Sequence, residues 1–290
     1  MKPQFEESQF AVFFQDDLSR RKHGPIQLAP IGQVLEAKVG FDLGGWVPRA
    51  HPMWSVLHSA PLPGLSRRAW NPSLDQTAAV TSKALNVFFQ FKRPHHLYRP
   101  NATYFANLGG PYWRFYVDRT ENPGSLPQHE MLEQLEMRTA GFGVVRYVSP
   151  ICHTYAKLEA LCDSSALLEE CVYVAPTRFA PDHTTCAYTS ATSMIVNPDP
   201  EPTSADTWSD VHGTLAEMAT NATDIDELIG RTGEVARALG ARQPDQLRYP
   251  WRLPRRLTPE TRTLLQSYLP VAELLFRNRL EWLVAIAPDE

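Results

Sequence analysis

The segment Val87-Phe-Phe-Gln-Phe-Lys92 constrains the fold more than any other, because a β-rich apolar run is interrupted by two polar residues two positions apart. Side chains alternate across a strand, so Gln90 and Lys92 share one face of the strand predicted here. The phenylalanines around them argue for burial, where a lysine demands a partner. On an edge strand the same lysine would instead discourage aggregation. Pro94 stops regular pairing, since proline lacks the N–H that a ladder needs.

Around this strand the pattern predicts an α/β order. Phe10 to Leu18 reads as a strand, Ile31 to Lys38 as a short helix ended by Gly40, and Phe41-Asp42-Leu43 as the start of a strand. Residues 44–73 are rich in proline and tryptophan without a period, and read as a surface insertion before a helix near Leu74 to Leu85. Trp46, Trp54 and Trp70 read there as a small local core. Strands follow at Tyr112 to Val117 and Gly143 to Val148, with helices at Leu126 to Met137 and Tyr155 to Cys162. Cys171 to Val174 and Thr184 to Val196 read as late strands, and Asn197 to Asp206 as an acidic, proline-containing loop.

About Pro198 is the candidate boundary. Residues 1–197 are expected to form an α/β domain with an insertion at about 44–85, and residues 198–290 a mainly helical C-terminal region. Its last helix, Pro259 to Ile286, is more apolar than one exposed face tolerates, so it packs on the main body, binds a protein partner or self-associates.

The 290 residues are 43% hydrophobic, enough to fill such a core. No run approaches the roughly 18 apolar residues that span a bilayer. The opening Met-Lys-Pro-Gln-Phe-Glu-Glu lacks the order of a secretory signal, so no membrane partner and a cytoplasmic location are expected. The four cysteines lack paired spacing and read as free thiols. Net charge is −4, so any contact with DNA or RNA must be local, at clusters such as Arg20-Arg21-Lys22, Arg67-Arg68, Lys92-Arg93 or Arg252 to Arg262.

Phosphodiester hydrolysis needs a divalent cation on oxygen ligands, an activated water and positive charge near the transition state. Glu36, Asp42 and Gln90 could supply the oxygens, and Lys92 could orient water or neutralise developing charge. Each has a plainer reading: Asp42 as a turn residue and Glu36 as surface. His95-His96 could touch phosphate but read first as a solvated pair. His129 and His153 are secondary candidates, and a Cys152/His153 nucleophile pair is disfavoured because adjacent side chains on an extended segment point apart.

The set Glu36, Asp42, Gln90-Phe-Lys92, followed by a helix and the Val144 to Val148 strand, resembles the PD-(D/E)XK nuclease superfamily, and most closely its Mrr-like branch with QxK in place of ExK. The succession of Gly-Phe-Asp, Phe-Phe-Gln-Phe-Lys and Pro-Tyr-Trp-Arg-Phe is similar to that of a group of bacterial proteins. The resemblance implies a restriction-endonuclease-like mixed sheet flanked by helices. It also implies Mg²⁺ or Mn²⁺ held by Glu36, Asp42 and Gln90, DNA or else RNA as substrate, and a role in bacterial nucleic-acid processing or phage (antiviral) defence. Two departures stand out: Asp42 lies far from Gln90, and Glu36 lies unusually close to Asp42. Gln90 is also a weaker cation ligand than a carboxylate, since its amide oxygen is neutral. The alternative is a catalytically inactive nuclease-like subunit that binds a protein partner or nucleic acid within a larger complex.

Overall fold

The computed structural model describes residues 1–20, 27–30, 83–120, 126–197, 201–241 and 259–287. At its centre lies β2 (Lys83–Phe91), the strand expected from the Val87 to Lys92 pattern. Its residues from Ala84 to Phe91 are all buried, as in a strand covered on both faces. To one side it pairs in parallel with β5 (Gly143–Pro150), with Gln90 opposite Tyr147. The parallel pairing requires a crossover, and α2 (Gln128–Thr139) lies within it, burying Met131, Leu132 and Leu135.

The other side of β2 is taken by β11 (Glu281–Ala287), antiparallel, which in turn pairs with β1 (Gln27–Pro30). β6 (Cys171–Val174) completes the order β1-β11-β2-β5-β6, and the two-residue β10 (Thr223–Asp224) joins the start of β2. A second, antiparallel sheet runs in the order β3 (His95–Leu97), β4 (Tyr112–Tyr116), β7 (Thr185–Tyr188), β8 (Ser193–Val196) and β9 (Glu201–Ser204). The two sheets meet where the Tyr188 hydroxyl donates to Ser149 Oγ (2.8 Å) and the Pro150 carbonyl (3.0 Å). The architecture is α/β, with mixed and antiparallel sheets flanked by helices.

Helices cover both faces of the main sheet. On one, α1 (Glu7–Arg20) sets Phe14 5.5 Å from Phe89 and Phe10 5.0 Å from Phe91, ring centre to ring centre. Trp208, at the start of α4 (Trp208–Met218), closes over Phe14 and Tyr173. The other face stacks Phe88 on Trp282 of β11 and Trp282 on Tyr268 of α6 (Pro259–Asn278), and Asn86 donates to Thr232 of α5 (Ile225–Ala238). β2 from Val87 to Phe91, together with α2, β5, α3 (Tyr155–Asp163) and β6, thus lies in the stretches expected of these elements. Among the described residues no helix is long and apolar enough to cross a membrane.

Four expectations are corrected. Phe10 to Leu18 is helix, not strand: Phe10, Phe14 and Leu18 are buried at four-residue spacing while Val12, which alternation would bury, is 51% exposed. Residues 83–85 begin β2 instead of ending a helix. The 197–206 loop contains β9, paired to β8. The last helix stops at Asn278, and the apolar residues after it, Trp282 and Leu283, belong to β11. The C-terminal region therefore contributes strands to both sheets, including an interior strand of the main one. Glu36, Asp42, the 44–82 part of the insertion with its tryptophans, and the boundary at 198 lie outside the described residues.

Candidate functional site

Gln90 and Lys92 do share a face, and both are buried at the carboxyl end of β2. Lys92 stands one residue beyond the strand, yet its N–H donates to the Val148 carbonyl (2.9 Å) and its carbonyl accepts from Ser149 Oγ (3.0 Å). The backbone that carries the lysine is thereby fixed to β5. Its Nζ donates to Gln128 Oε1 (3.0 Å), and Gln128 Nε2 donates to Gln90 Oε1 (3.1 Å) and to the Asn278 carbonyl (2.7 Å). Gln128 is thus a bridge between the two residues of the QxK pattern. The ammonium also lies 5.5 Å from the Tyr147 ring centre.

These groups line a polar cleft of about 360 Å³, joined by Glu7 from the start of α1, Asp118 just after β4, and Arg277 and Arg279 from the end of α6. The first residue of the crossover helix meets the carboxyl end of the strand before it, the place where ligand sites of parallel sheets form. Arg279 has φ +53°, a left-handed conformation usually left to glycine after a helix, and Leu280 N–H returns to the Leu275 carbonyl (3.0 Å) as in a Schellman turn. An arginine in this position retains a cationic side chain at the cleft.

Burial lowers the pKa of Lys92, Glu7 and Asp118 oppose that shift, and Arg279 adds to it. Asp118 is held below the usual carboxylate range by the Thr120 N–H (2.9 Å) and by Lys92, against its partial burial. His129, buried on α2 with Nδ1 2.9 Å from the Tyr147 hydroxyl, is brought down to about 4 by burial, then by Arg119 and Lys92. It is a neutral ring near pH 7. Burial raises Tyr147, which keeps its proton.

The secondary candidates resolve differently. Cys152 is buried with its thiol pushed up to about 12, while the His153 ring stacks on His96 at 4.4 Å, so the two do not form a nucleophile pair. All four cysteines are free. His95 and His96 lie on β3 beside the aromatic residues of β4.

The sequence pattern singles out Gln90 and Lys92 but gives no role to Gln128, Glu7, Asp118 or Arg279. Gln128 carries a usable signal, as the first residue of the helix that follows the QxK strand. Glu7 and Arg279 are hidden by the misread α1 and the misplaced end of α6. As for a cation, the Gln90 amide and the Glu7 and Asp118 carboxylates are hard oxygen donors of the kind Mg²⁺ prefers. Among the described residues no group of three His, Cys, Asp or Glu is placed to hold a metal ion. Compared with known proteins, the chain matches no family model, no curated protein and no solved structure.

Proposed function

We propose that this protein is a metal-dependent nuclease of the PD-(D/E)XK type with a QxK site, cleaving phosphodiesters of DNA. One observation carries the reading: Lys92, 8% exposed, is tethered through Gln128 to Gln90 in a cleft that also holds acidic and cationic side chains. A lysine is costly to bury, and one retained at the mouth of a parallel strand pair is a candidate for chemistry. Gln90 Oε1, with Glu36 and Asp42 assigned from the sequence pattern, would hold Mg²⁺ or Mn²⁺, which supplies an activated water and polarises the phosphoryl oxygen. Lys92 neutralises charge gathering on the phosphate, and Arg277 and Arg279 attract the backbone to the cleft. Gln128 keeps Lys92 and Gln90 in register, and α1 and α6 wall the cleft. The amide at Gln90, which already accepts a hydrogen bond from Gln128, favours a second reading, a noncatalytic nucleic-acid-binding subunit.

The test is cleavage of plasmid and linear DNA at low salt with Mg²⁺ or Mn²⁺, by the wild type and by Lys92→Met, Gln90→Ala and Asp42→Ala. Metal-dependent cutting that falls about a hundredfold or more in Lys92→Met is expected. A folded wild type that binds DNA without cutting it moves the assignment to the second reading. Equal cutting by all four proteins places the chemistry elsewhere.

A further inference from the structure

Strands β3 and β4 connect to the cleft at both ends: Lys92 precedes His95 by three residues, and Tyr116 precedes Asp118 by two. At roughly 3.3–3.6 Å per residue, each join spans about 10 Å or less. In this antiparallel pair His95 is opposite Arg114, and Tyr116, two residues on from Arg114, shares its face. The His95 ring meets Tyr116 edge-on at 5.5 Å, and the Arg114 guanidinium lies 4.9 Å from the Tyr116 ring centre while Nη2 donates to its hydroxyl (2.6 Å). Tyr116 nevertheless remains 49% exposed. Arg114 Nε is buried and has no hydrogen-bond partner among the described residues, so a ligand on this face would meet the outer end of the guanidinium.

The charged groups that act on His95 of this face are all positive, in a chain of net charge −4. His95 is held below its ordinary range first by partial burial, then by Arg114, the Met1 amino group, Arg93 and Lys2, with no carboxylate among these causes. Glu6 pairs with Arg93 at 2.7 Å, and Arg114, Lys2 and the Met1 amino group are the other cations acting on His95. A local cationic patch attracts phosphate, and a half-open tyrosine held by an arginine is a platform on which an unpaired base stacks. A duplex offers no free base face to such a ring.

We propose that the outer face of β3–β4 seats single-stranded nucleic acid beside the Lys92 cleft, with a base stacked on Tyr116 and the adjoining phosphate on Arg114. This rests on the reading of the cleft as a site that acts on nucleic acid, and gives it a substrate class: single strands, or duplexes opened at the point of attack.

Fluorescence anisotropy of the full chain with a labelled oligothymidylate and with a duplex of equal length, at low salt and without added metal, tests it. The single strand binds more tightly, Tyr116→Ala weakens it by about 5- to 100-fold, and Tyr116→Phe binds like the wild type. Arg114→Gln lowers the slope of log affinity against log salt by about 0.7. A folded Tyr116→Ala protein that binds like the wild type overturns the proposal, as does equal or tighter binding of the duplex. Plasmid cleavage with binding indifferent to Tyr116 removes the seat alone. Tyr116-dependent binding without cleavage removes the nuclease reading and keeps the seat.

Discussion

Lys92 is where stability and the proposed chemistry pull in opposite directions. Its folded pKa lies below the ordinary 10.5, with burial the leading cause, so near neutral pH the charged form is a cost to the fold. The unfolded chain holds the proton more readily, and stability therefore rises as pH climbs through the folded pKa toward 10.5. Lys92→Met, similar in length and apolar, should keep the melting temperature or raise it, by up to about 1–2 kcal/mol of stability, while cleavage is lost. That advantage shrinks as the solution is made more alkaline. A loss of stability in Lys92→Met at pH 7 would show that the lysine is structural. Gln128→Leu separates positioning from charge: it frees Lys92 and Gln90 without removing either, so cleavage should drop with Lys92 still present, while Gln128→Glu, which can still accept from Nζ, retains more activity.

Among the elements, β11 and α6 show how tightly the C-terminal region is tied to β2. Trp282 Nε1 donates to Asn86 Oδ1 (2.9 Å), Asn86 donates to Thr232 (2.8 Å), and Thr232 Oγ1 donates to the Leu228 carbonyl (2.6 Å), a buried polar chain joining β11, β2 and α5. Trp282→Phe leaves the Asn86 oxygen unpaired and should cost about 1–3 kcal/mol in urea unfolding. Gly233 lets α5 approach α6 so closely that an added Cβ would come within 2.2 Å of the Ser267 carbonyl oxygen. Gly233→Ala should therefore destabilise by about 1–3 kcal/mol, and a change under about 0.5 kcal/mol would mean the helices separate freely. These couplings also explain what is legible in the sequence. β2, α2 and β5 can be read because each has a clear period and a punctuating proline or glycine, and Gln90 and Lys92 follow from the period of two. α1 is obscured by its adjacent pair Phe13-Phe14, and β11 by its closeness to the helix before it, from which only Arg279 and Leu280 separate it. The cleft is assembled by tertiary packing from five elements, so Glu7, Asp118 and Arg279 leave no local pattern.

For the whole molecule, acid is the sensitive direction. His95, His96, His129 and His153 all titrate below 6.5 in the folded chain, with burial the first cause in each. The unfolded chain takes up these protons first, so stability falls as pH drops below 6.5, and for His129 the loss continues to about 4. Asp118 and Asp210 have lowered values and give stability above the ordinary 3.8 that is lost only at lower pH. The urea midpoint should therefore decline between pH 6.5 and 4 in the wild type and less steeply in His129→Gln; a midpoint constant over that interval would contradict the neutral, buried state of the ring. The place of β11 has a further consequence during synthesis. The strand that fills the gap between β1 and β2 leaves the ribosome about 190 residues after Phe91. At about 5–20 residues per second, β2 waits roughly 10–40 s with one hydrophobic edge open. For that interval the growing chain is a template for the wrong partner, and its yield in a cell depends on what shields the nascent edge.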